Sequence, residues 1–335
     1  MRILLALAAA AMAAEAAIQG TVFNGTTTRP QAGVEVTLVK LDQGMTPVAA
    51  TRSDAAGKFR FDQDVQSAPA LLRAEFDGVT YTERVTPGAR AGEISLTVYR
   101  AVEASGPLGA PDQHVVLLEP SGAELIVNES FLYRNESKPP VSYVASQQGT
   151  LRFYLPPVAK GVVQASGTGP AGMPLRLTAD KTTQPDIYEI GFPIKPGENR
   201  IDLTYVAPYK NPMEFAVRTL YPGVVTRVAA PDGVTLTGEG LRSMGQEPQT
   251  KASIFELGKV ELARVTIAGE GRLARSGGGE ESAGDEIAAA PAAVHEKLPW
   301  ILGLGGAMLA AGFYALYTAQ GSGGAAATPR DKSGK

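Results

Sequence analysis

The chain of 335 residues carries 31 basic against 34 acidic side chains and no cysteine. That balance offers no excess of positive charge to neutralise phosphates, so nucleic acid is not an expected partner. Absence of cysteine excludes a disulfide framework, a thiolate nucleophile and a cysteine-held metal, and an exported domain here must stand on its apolar core alone. With 38 glycines and 24 prolines, long interior helices are disfavoured. The expected class is mostly β: tandem β-sandwich modules, then a flexible stalk and one C-terminal transmembrane helix.

Residues 1–16 have the layout of a secretory signal peptide. Arg2 supplies the positive start, residues 3–11 form an apolar stretch too short to span a bilayer, and Ala11-Met12-Ala13 is a small-x-small cleavage pattern. Cleavage after Ala13 and after Ala16 both fit. From Ile18 to about Arg100 the chain breaks into short strand-like runs. Residues 18–23, 33–39, 71–76, 79–85 and 94–98 are such runs, and Asn24-Gly25 signals a turn. Thr51 to Phe61 places another turn between two strand ends. Strands at this density read as a small antiparallel sandwich over residues 17–100.

Three motifs in this stretch carry a resemblance. They are Ile18-x-Gly20-x-Val22, Gly33-Val34-x-Val36-x-Leu38, and Thr51-x-x-Asp54-x-x-Gly57-x-Phe59-x-Phe61. The last is the most specific, because it combines a polar turn with two inward aromatic residues. The stretch resembles the carboxypeptidase regulatory-like domain, a transthyretin-like β-sandwich. That resemblance covers less than a third of the chain. It implies a structural or binding accessory module and no peptidase activity, since the zinc-binding catalytic domain of some relatives has no counterpart here.

Residues 101–112 have the composition of a linker. Seven strand-like runs then fill residues 113–208, enough for a second β-sandwich. Further runs at 214–220, 224–228, 234–237, 252–257 and 259–267 make residues 209–275 either a small β unit or an extension of the second module. Residues 276–297 mix glycine, acid and alanine and read as a flexible stalk.

Residues 298–319 hold no charge and reach roughly 33 Å as a helix, enough to cross a hydrocarbon core. Trp300, Tyr314 and Tyr317 sit towards the ends, where aromatic side chains favour the headgroup level. The tail, residues 320–335, carries Arg330, Lys332 and Lys335 against Asp331 and is expected on the cytoplasmic side. The expected address is the bacterial inner membrane, single-pass, with the body periplasmic or extracellular. Gly303, Ala307, Ala311 and Ala315 recur at four-residue spacing, a candidate face for pairing with another membrane helix.

Chemistry is sparsely marked. Of the two histidines, His114 lies at a predicted strand start and His295 beside the membrane. No metal-protease, phosphate-loop or nucleophile-elbow motif occurs. Glu119, Glu124 and Glu129 are close in sequence and read as solvated positions. No catalytic residue, metal ligand or cofactor is expected. Phe131, Tyr133, Tyr143, Tyr205 and Tyr209, near prolines and turns, form a candidate binding surface, with ordinary core packing as the alternative. The expected function is a non-enzymatic envelope protein whose β-sandwich modules bind a protein or an envelope polymer. One alternative is an accessory subunit of an inner-membrane transport, export or assembly complex. Another is a hydrolase with a carboxylate site, which needs an acidic cluster that no spacing marks.

Overall fold

The structure is a computed structural model. It describes residues 18–41, 44–62, 69–85, 94–103, 110–145, 149–159, 162–257 and 261–273. The predicted signal peptide, stalk, membrane span and tail lie outside the described residues, as does the face of Gly303, Ala307, Ala311 and Ala315. Every regular element among the described residues is a strand.

The first module is a sandwich of two four-stranded sheets. In one, β1 (Ile18–Asn24) pairs antiparallel with β2 (Arg29–Pro30) and β5 (Lys58–Phe61), and parallel with β8 (Ile94–Val98). The other has the order β4 (Thr46–Arg52), β3 (Glu35–Lys40), β6 (Ala70–Phe76), β7 (Val79–Val85), antiparallel throughout. Side chains from both sheets meet in one core that includes Val22, Val36, Leu38, Phe59, Phe61, Leu72 and Leu96.

The Thr51–Phe61 motif has a local cause. Asp54 Oδ1 accepts from the main-chain N–H of Ala56 at 2.9 Å and of Lys58 at 2.8 Å, closing the turn. Gly57 takes φ +74°, and a side chain there would meet the Val22 carbonyl at 2.8 Å. The chain leaves this turn in the register that sends Phe59 and Phe61 inward, where their rings meet edge to face at 6.1 Å. Gly20 is required opposite them, since a Cβ would lie 2.5 Å from the Phe59 ring.

The second module is built on an eight-stranded sheet. Its long centre is β10 (Gln113–Ser121), β11 (Glu124–Asn135) and β18 (Gly197–Pro208). Strands β14 (Gln164–Thr168) and β15 (Pro174–Leu177) extend one side. On the other side lie β20 (Val225–Ala230), β23 (Ser253–Leu257) and β22 (Leu241–Gln246). Two three-stranded sheets complete it. One joins β13 (Leu151–Tyr154), β17 (Ile187–Ile190) and β16 (Asp180–Lys181), and the other joins β19 (Met213–Arg218), β24 (Leu262–Gly269) and β21 (Val234–Thr237).

Residues 209–275 therefore extend the second module rather than form a separate unit. Strand β20 pairs in parallel with β10, and Val116, Phe153, Val265 and Ile267 share one core. The buried side chains of β19, β21 and β24 belong to the same core as those of β10 and β11.

The predicted linker also needs correction. Ala101–Glu103 form β9, paired in parallel with β12 (Ser142–Val144) of the second module. Around this pair, the Tyr81 hydroxyl donates to the Tyr99 carbonyl at 2.8 Å and lies 2.8 Å from Ser142 Oγ. Lys195 Nζ sits 5.3 Å from the Tyr81 ring centroid, and Thr26 Oγ1 donates to the Pro140 carbonyl at 2.6 Å. Val144 packs against the core of the first module. The start of the predicted linker is thus paired strand, while residues 104–109 lie outside the described residues.

Candidate functional site

The aromatic residues expected at a surface are interior. Phe131 and Tyr133 on β11, Tyr205 on β18, Tyr143 on β12 and Tyr209 just after β18 are all buried. The reason is the period of two along a strand: Leu125, Val127, Glu129, Phe131 and Tyr133 all project to one face of β11, and that face is the core. The Tyr209 hydroxyl ends in a hydrogen bond to the Gly269 carbonyl, 2.7 Å away. These five residues hold the second module together and do not form an exposed binding surface.

The same face brings together a polar group that the sequence did not mark. Glu129, expected to be solvated, is only 7% exposed. Its Oε2 lies 2.8 Å from His114 Nε2 on β10, and its Oε1 accepts from the Tyr205 hydroxyl at 2.6 Å. Since a carboxylate only accepts, Nε2 carries a proton and donates it to Glu129, while Nδ1 faces Thr226. Thr226 Oγ1 of β20 lies 3.4 Å from that Nδ1. The imidazole stacks on Phe131 with ring centroids 4.2 Å apart. Burial, and then the neighbouring Glu129 carboxylate, hold the Tyr205 hydroxyl pKa well above 10.0.

Hydroxyl, imidazole and carboxylate here follow the order of a nucleophile relay. Access argues against that use. Thr226 is 2% exposed, its hydroxyl is far from Nδ1 for a working pair, and the adjoining chamber of about 10 Å³ holds no more than one water. The group gives buried polar atoms of β10, β11, β18 and β20 partners within the core.

Above that chamber opens a cleft of about 770 Å³. Four segments build it. Arg152 comes from β13, Gln184 from the turn before β17, Arg218 to Val225 from the end of β19 through the loop into β20, and Glu256, Leu257 and Glu261 from the edge of β23 and the approach to β24. The loop is anchored by Tyr221, whose hydroxyl accepts from the Arg152 main-chain N–H at 2.7 Å. Burial raises the Tyr221 hydroxyl pKa, and the Arg152 N–H partly opposes the rise. Arg152 Nη2 donates to Gln184 Oε1 at 2.9 Å. Arg218 pairs with Glu261 at 2.7 Å and lies 6.0 Å from the Tyr154 ring centroid. Glu256 pairs with Arg242 at 2.7 Å.

This cleft escaped sequence reasoning because residues 152, 184, 218, 221 and 256 converge only where three separate sheets pack together. Glu129 could have been found: it falls between Val127 and Phe131 in the inward set of an alternating strand. Among the described residues, no group of His, Asp or Glu has the arrangement of a metal site.

No family model and no curated protein sequence matches the chain. Among solved structures, it is similar to an M1 zinc metallopeptidase from Deinococcus radiodurans, at 12% identity and TM-score 0.27, over 47% of this chain and 41% of that chain. It is also similar to BcpA, the major pilin subunit of Bacillus cereus, at 10% identity and TM-score 0.21, over 76% of this chain and 85% of that one. A third is the full-length major pilin SpaD from Corynebacterium diphtheriae, at 11% identity and TM-score 0.22, over 78% and 84%. The chain thus spans about two fifths of the length of the metallopeptidase. Likeness at these TM-scores leaves the site to be read from its own residues.

Proposed function

We propose that the chain is a non-enzymatic binding protein of the bacterial envelope, held at the inner membrane by residues 298–319, with its β-sandwich body outside the cytoplasm. The single observation that carries the binding reading is the cleft on the second module. Its volume of about 770 Å³ falls within the range of ligand sites. Its walls are held by Tyr221, Gln184 and ion-paired side chains, which give it shape without offering an activated nucleophile. The first module, read as carboxypeptidase regulatory-like, serves as the accessory sandwich beside it. Address and anchor rest on Arg2, the apolar residues 3–11 and the uncharged span. The four-residue spacing of Gly303, Ala307, Ala311 and Ala315 favours a second reading, in which the span also docks the protein into a membrane complex.

Two measurements on the full chain test this. Protease added to intact spheroplasts should digest the body and spare a tag placed after Lys335. A photo-crosslinking residue at exposed Gln184 should capture a defined envelope component that the same residue at exposed Val206 does not. Equal capture at both positions rejects the cleft as the binding site, and a tag cleaved along with the body rejects the address.

A further inference from the structure

The charges around the cleft do not cancel in pairs. Arg218 is matched by Glu261, and Glu256 by Arg242. Arg152 is left over: among the described residues no carboxylate lies within ion-pair distance of it, and its only side-chain hydrogen bond is the one to neutral Gln184. Its Nε is buried and has no acceptor among the described residues. A guanidinium has five donors in a planar fork suited to a carboxylate, and a buried donor without an acceptor is a costly arrangement to maintain. The rest of the wall is of another kind. Leu220, Pro222, Val224 and Leu257 give the cleft an apolar side next to the free cation.

We propose that this cleft binds the free C-terminal carboxylate of a peptide whose last side chain is apolar, with Arg152 holding the carboxylate and the Leu220–Val224 loop covering the side chain. The inference rests on the cleft being the binding site, and it adds the chemistry of what enters. A carboxylate alone could equally come from an acidic sugar. The apolar wall decides for a peptide, because a ring covered with hydroxyls would leave Leu220, Pro222 and Val224 uncovered and bury polar groups against them.

The test uses the detergent-solubilised full-length protein and two probes of one shape, N-acetyl-phenylalanine and N-acetyl-phenylalaninamide, with glucuronate as the acidic-sugar arm. Binding is read by protein-observed NMR titration. The acid should bind about tenfold more tightly than the amide, the scale of one charge-assisted contact. Arg152→Gln should erase that difference, and Arg152→Lys should restore part of it. The comparison of acid and amide on the unaltered protein needs no variant to fold. Equal binding of acid and amide overturns the carboxylate assignment while leaving the cleft a binding site. Glucuronate binding as tightly as the acid overturns the peptide assignment in favour of an acidic sugar. Failure of all three probes to shift cleft resonances overturns the inference, and the crosslinking at Gln184 then decides separately whether the cleft binds anything.

Discussion

Glu129 concentrates more consequence than any other side chain in the described body. One carboxylate accepts from Tyr205 and meets His114, whose other ring nitrogen has Thr226 Oγ1 at 3.4 Å. Glu129→Ala takes this partner from two buried groups, at about 1–3 kcal/mol for each. Glu129→Gln keeps an acceptor in place and should lose less. Glu261→Ala, which breaks an exposed ion pair with Arg218, should cost less than about 1 kcal/mol. Urea unfolding of the three variants checks the ranking. Equal losses at Glu129 and Glu261 would mean that the buried network contributes nothing beyond a surface pair.

At the scale of elements, the Thr51–Phe61 turn between the two sheets of the first module is where sequence and structure agree closely. Asp54 closes the turn, Gly57 supplies the positive φ, and the two rings point inward. Phe59→Ala empties a site lined by Gly20 and Phe61 and should cost about 3–5 kcal/mol. A thermal midpoint unchanged in the full chain would contradict this packing. Most longer strands were legible because one face is apolar and the other polar. Strand β22 was not, because Leu241–Gln246 presents no buried residue and so shows no alternation. β9 and β12 have three residues each, too few for a period to appear. Exposure of Tyr133 or Tyr205 was misjudged for a related reason. Proximity to proline in sequence marks a turn nearby, but the direction of the side chain is set by its parity along the strand. The cleft was illegible altogether, since the packing of the sheet of β13 against that of β20 and β23 cannot be read from any one strand.

At the scale of the whole molecule, buried tyrosines give the body a characteristic response to alkali. Burial raises the hydroxyl pKa of Tyr81, Tyr133, Tyr205 and Tyr221 above the ordinary 10.0. In the unfolded chain these groups ionise near the ordinary value, so above it the unfolded state binds fewer protons than the folded one. Stability is then fully present below about pH 10 and falls as pH rises further. Tyrosinate absorbance from these residues should appear together with loss of the β circular dichroism signal. Complete tyrosine ionisation with the β signal intact would contradict their burial. The parallel pairing of Ala101–Glu103 with Ser142–Val144 has a different kind of consequence. It ties the two modules through backbone hydrogen bonds, which restricts the swivel between them. A partner with two matching contact points would meet the second at an effective concentration on the order of millimolar once the first is made, while one with the wrong spacing gains nothing. Any partner that touches both modules would thus be sorted by its dimensions as well as by its chemistry.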